Sequence, residues 1–128
     1  MTVVVEISIG ELIDKITILE RKLEKIKDET KQRNIAREHE MLVLATPKAV
    51  EDDEKVAALR QELTAVNAEL WRVEDELRAR ERAKAFDSDF VALARLVYVN
   101  NDKRAALKRS INEITNSGFG EEKSYEAY

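Results

Sequence analysis

VAALRQELTAVNAELWRVEDEL, residues 56–77, carries seven apolar side chains, Val56, Leu59, Leu63, Val66, Leu70, Val73 and Leu77, at alternating spacings of three and four. An α-helix turns once in about 3.6 residues, so these positions form one stripe along one side of a helix. A strand would need alternation by two, which the stretch does not have. The stripe has the form of an a/d seam, and a seam needs a second helix to cover it. The predicted fold class is therefore all-α, an antiparallel bundle of coiled-coil-like helices.

The rest of the chain agrees. It has 128 residues with 44 % apolar and 38 % charged side chains, but one proline and three glycines. High charge together with high apolar content is the composition of long amphipathic helices in a single domain. The 22 basic and 26 acidic residues leave a net charge of −4, which disfavours attraction to nucleic acid. Without cysteine there is neither a disulfide framework nor a thiolate metal site. No apolar run approaches the roughly 20 residues that cross a bilayer, and the first residues lack the pattern of a signal peptide. The expectation is a soluble cytoplasmic protein without membrane insertion.

Outward from the seam, Thr2–Ile7 (TVVVEI) is β-branched and reads as a short strand. Ser8 and Glu11 read as a capping box opening a helix with apolar positions Ile9, Leu12, Ile16, Leu19, Leu23 and Ile26. That register lapses between Asp28 and Arg33, which predicts a kinked but connected helix, or a break, running to Ala45. Pro47 ends it. A second long helix is predicted over 50–84 and a third over 88–117, opened by the Asp87 region. Gly118 is expected to cap the third, with Phe119 folding back on it. A polar tail with Tyr125 and Tyr128 follows.

The seam of the last helix is interrupted at two consecutive positions, Asn100 and Arg104, where Leu or Ile would continue it. Counted outward from the turns, Arg104 falls level with about Ala65 and Thr30, where the first helix loses its register. Asn67, Trp71, Tyr98 and Asn101 lie within about a turn of that height. A buried polar layer must be hydrogen-bonded, because an unpaired guanidinium or amide is costly away from water. It reads either as a layer that fixes register and assembly, or as a ligand or partner site, or as a helix face turned to solvent there.

Other chemistry finds no pattern. His39 is followed by Glu40, but a zinc-protease motif needs a second His where Val43 stands, and a di-iron motif needs Glu at Ala36. His39 reads as an exposed helix residue, and no metal or cofactor is predicted. Ser8 and Ser88 have no histidine near them in sequence. Lys103, Arg104, Lys108 and Arg109 form a basic stripe on the last helix.

ISIGELIDKITILERK, AVNAELWRVEDELRARE, and VYVNNDKRAALKRSINEI followed by EEKSYEAY together resemble a bacterial family of small helical proteins known only as a domain of unknown function. The resemblance covers nearly the whole chain and implies an α-helical fold without specifying an activity. It draws attention to Asp14, Lys15, Thr17, Asn101, Asp102 and Arg104. The Leu12-Ile13-Asp14 start is also similar to the first helix of the all-helical chorismate mutases. The arginine spacing of that helix is absent here, so no catalytic residue carries over.

The expectation is a non-enzymatic interaction module that self-associates and presents helical faces or its tail, with Tyr125, to a protein partner. The alternative is a small enzyme or metabolite binder holding an anion with Asn100, Asn101 and Arg104. An up-down-up chain enters at one end and leaves at the other, and a helix of 30 residues is roughly 45 Å long. A homodimer would then bring each tail beside the partner's valine strand. A first helix folded back at Asp28 would instead bring the two termini of one chain together.

Overall fold

The computed structural model describes residues 1–118 and 122–128. The described residues form five helices: α1 (Ile9–Lys25), α2 (Glu29–Ala45), α3 (Lys48–Glu51), α4 (Glu54–Ala83) and α5 (Ser88–Thr115). The fold class is all-α, and no described residue is in a strand.

The first long helix is two helices. Ile26 leaves the helical region at φ −93° and ψ 119°, and Asp28 caps α2 by accepting from the Lys31 amide at 2.9 Å. Gln32 Nε2 donates to the Ile26 carbonyl at 2.9 Å, satisfying a group the break exposes. The lapse in register thus marks a turn, and α2 runs back along α1. Gln32 meets Ile26, while His39 meets Glu20 at 3.1 Å. His39 is therefore half-buried between helices, not the exposed residue expected.

The 50–84 helix is likewise divided. Pro47 precedes the single turn of α3, and Asp53 caps α4 by accepting from the Lys55 and Val56 amides. All seven seam residues of 56–77 are wholly or partly buried, with Val56, Leu63 and Val73 buried. Asp87 caps α5 as expected. The other end differs: α5 stops at Thr115 with Asn116 left-handed at φ 52°, so Asn116 and not Gly118 makes the C-cap. The contact expected of Phe119 lies outside the described residues.

α4 and α5 form a hairpin, and α1 packs against both. Gly10 at the start of α1 touches Asn112 on α5, whereas Glu20 touches Arg60 on α4. The shared core is Ile13, Val56, Leu63 and Ile111, supplied by all three helices. Ile114 is exposed.

Thr2–Ile7, expected as a strand, has no regular structure. Val3, Val4 and Val5 are 78, 97 and 70 % exposed. A strand needs a neighbour for its amides and carbonyls, and the described residues pair none with this segment. Because α2 folds back, the two termini also leave from one place. The Ile9 amide donates to Ser117 Oγ at 3.1 Å. This removes the end-to-end separation expected of an up-down-up chain.

Candidate functional site

Asp14 is fully buried in the middle of α1. Arg104 of α5 closes on it with two nitrogens: Nε donates to Oδ1 at 2.9 Å, and Nη2 donates to Oδ2 at 2.5 Å. Asn67 of α4 adds Nδ2 to the same Oδ1 at 3.0 Å and to Thr17 Oγ1 at 3.0 Å. The Thr17 hydroxyl donates in turn to the Asp14 carbonyl. One helical turn earlier, Glu11 binds Lys108 Nζ at 2.6 Å, and Lys108 stands 3.9 Å from Asp14 Oδ2. Three helices are thus pinned at one level by a charge-assisted network, with forked guanidinium geometry at its centre.

The local sequence places each member. Asp14 and Thr17, with Glu11, lie on one face of α1 at spacings of three, and Arg104 and Lys108 are four apart on α5. The close approach depends on Gly10. A Cβ there would stand 2.5 Å from the Lys108 carbonyl oxygen and 2.8 Å from Asn112 Oδ1. The Gly10 amide donates to that same Asn112 oxygen at 2.7 Å. Ser8 accepts from the Glu11 amide as expected of the cap, but Glu11 turns to Lys108 and does not return the bond.

The sequence-predicted residues separate onto different faces of α5. Arg104 meets Asp14, not the level of Thr30, because the break before Asp28 carries Thr30 away with α2. Asn67, Trp71 and Arg104, with Arg21 and Arg78, line a groove of about 380 Å³. The Arg21 guanidinium donates to Glu24 through Nη1, while its Nε is buried with no hydrogen-bond partner among the described residues. Tyr98, Asn101, Asp102 and Tyr125 line a second groove, of about 970 Å³, between α5 and the tail. Asn100 joins neither; it is buried and donates to the Leu96 carbonyl of its own helix at 2.8 Å. Lys15 is exposed and touches the network only at its edge, 3.8 Å from Glu11.

Sequence reading missed Gly10, Glu11, Lys108 and Asn112. The signal was present in the complementary charges, since two acids three apart on one helix match two bases four apart on another. Lys108 had been placed in a surface basic stripe, yet its side chain is only 7 % exposed.

In the second groove the Tyr128 hydroxyl donates to Asp102 Oδ2 at 2.5 Å, and its ring lies 5.2 Å from that of Tyr98. The hydrogen bond to the Asp102 carboxylate holds the Tyr128 phenol above its ordinary pKa, because ionisation would set two anions together. On α4, Arg72 forks onto Glu69 and lowers its pKa, a surface pair outside both grooves. No group of three or more His, Cys, Asp or Glu side chains able to hold a metal occurs among the described residues. No helix there is long and apolar enough to cross a membrane.

The sequence model of a family of unknown function, DUF6165, matches residues 3–128. The chain belongs to that family. The DUF6165 match takes in the valine segment from Val3, the network residues and the tail to Tyr128. Comparison with curated proteins found no match, and comparison with solved structures found none.

Proposed function

We propose that this DUF6165 chain is a non-enzymatic helical module that self-associates as a homodimer and presents its helical faces and tail to a protein partner. The observation that carries the reading is the N-terminal segment. Three consecutive valines, with Ile7 beyond them, are left in water. Such an exposed apolar run marks an interaction site, and β-branched residues favour pairing with another strand. The Asp14–Arg104 network supports the same reading from inside. Both Asp14 oxygens are engaged by this chain's own donors, which suits a layer that holds three helices in one register. Light scattering on the full chain should give twice the monomer mass, and a version beginning at Ser8 should give the monomer. A monomeric full chain overturns the proposal.

Arg21 Nε favours one second reading. A buried donor on a residue of the 380 Å³ groove, which Arg78 and Arg104 line together with Glu74 and Asp75, suits a small anion. Trp71 lines that groove and is the single tryptophan of the chain, so its fluorescence reports occupancy. Saturable change on adding inorganic phosphate or a dicarboxylate, lost in Arg21→Gln, supports this reading; an unresponsive Trp71 removes it.

A further inference from the structure

The groove between α5 and the tail has dimensions and chemistry that match one particular segment. Its floor on α5 runs from Val97 through Ala105 and Ala106 to Arg109, and its far wall is the non-helical tail Lys123–Tyr128. The twelve-residue rise from Val97 to Arg109 is about 18 Å. Thr2–Ile7, fully extended, spans about 20 Å. In extended form Val3, Val5 and Ile7 share one face, while Thr2, Val4 and Glu6 share the other. One face is wholly apolar and matches the Val97, Ala105 and Ala106 part of the floor.

Direction and charge agree on a register. The tail follows α5, which ends at Thr115 beyond Arg109, and its far residue Tyr128 meets Asp102 and Tyr98, so it runs back along the groove toward the Tyr98 end. An antiparallel strand that sets Glu6 opposite Lys123 sets Met1 opposite Tyr128. Glu6 then lies at the end carrying Arg109 and Lys123. In this register Val3, Val5 and Ile7 fall on the same face as Tyr128, the tail residue whose ring already reaches α5. Val4 falls directly opposite Tyr125.

We infer that this groove receives residues 2–7 of a second copy of the chain, added as a strand beside the tail, with the exchange made reciprocally about a two-fold axis. The chain's own segment leaves Ser8 close to Ser117, within reach of its own groove, yet stands outside it with its valines in water. Strand addition supplies what both partners lack, a ladder for the valine segment and an apolar cover for the groove. This rests on the self-association proposed above, and it adds the identity of the two surfaces that meet.

The chain has no cysteine, so engineered pairs are read without background. Residues directly opposite in an antiparallel pair stand about 4.5–5.5 Å apart at Cα, within disulfide range. Val4→Cys combined with Tyr125→Cys, mildly oxidised and run without reductant, should give a covalent dimer as the major species. Neither single variant should do so. A faster-migrating monomer means that the segment closes on its own chain and overturns the inference. A covalent dimer from Val4→Cys alone means that two valine segments pair with each other, and overturns it as well. If the full chain is a dimer by light scattering but the double variant does not cross-link, self-association stands and this groove is not its seat. Both substituted side chains are exposed, so the fold is unaffected.

Discussion

Arg104 and Asp14 stand ninety positions apart in the chain and meet as a forked ion pair at the point where α1 packs onto α5. The Asp14 side chain is fully buried, while Arg104 retains 29 % exposure. One end of the pair is thus sealed and the other looks into the groove beside Trp71. Removing either partner has unequal consequences. Loss of Asp14 leaves a cation that can turn to water, and loss of Arg104 leaves a carboxylate that cannot.

Arg104→Leu should therefore destabilise the fold by about 3 kcal/mol, the lower end for breaking a buried pair, since Lys108 remains near the carboxylate. Adding Asp14→Leu to it should recover most of that loss. Urea denaturation of the two single variants and the double variant measures the coupling. Equal stability of Arg104→Leu and the parent chain would mean that the network contributes nothing to holding α1. Replacing Asn100 and Arg104 together by Leu should also destabilise, because it leaves Asp14 buried and short of its principal donor; the seam pattern alone predicts no loss.

Gly10→Ala should cost roughly 1–3 kcal/mol, the range for forcing atoms into a filled contact. The backbone carbonyl of Lys108 cannot swing aside as a side chain would, so α1 must lift from α5. Thermal unfolding of the variant measures the loss, and an unchanged midpoint contradicts the packing described.

Leu63→Ala should cost about 2–5 kcal/mol, as expected for emptying a closed core site. Leu70→Ala should cost less, because Leu70 is only half-buried and faces the smaller groove. The seam pattern treats the two positions alike, so the inequality tests the tertiary arrangement.

Tyr128 gives a pH prediction. Its phenol is raised in the folded chain by the bond it donates to Asp102, so the contact is fully present below the ordinary tyrosine pKa of about 10 and is lost as pH rises through the raised value. Tyrosinate absorbance should show a tyrosine that ionises above the ordinary range, and Asp102→Ala should bring that step down. Absence of such a raised step would mean that the tail does not rest on α5 in solution.

Local pattern located the helical segments, though not the division before Asp53 or the end at Asn116. The three-four spacing of Val56 to Leu77, the caps at Ser8 and Asp87, and the lapse in register between Asp28 and Arg33 are properties of neighbouring residues, and neighbours decide backbone conformation. Pattern also singled out Asn100 and Arg104, because a polar residue in an apolar stripe is conspicuous without any partner in view, and Asn67 by its height along the bundle. What they touch was another matter. Whether the lapse at Asp28 is a kink or a reversal changes no local preference, yet it decides whether Arg104 meets Thr30 or Asp14, and whether the two termini part or converge at Ser117. Lys108 read as a surface lysine for the same reason: its burial follows from Gly10, a hundred residues away, letting a second backbone come close. Pairing across the chain is settled by which surfaces exclude water from one another. Only the tertiary structure brings those surfaces together.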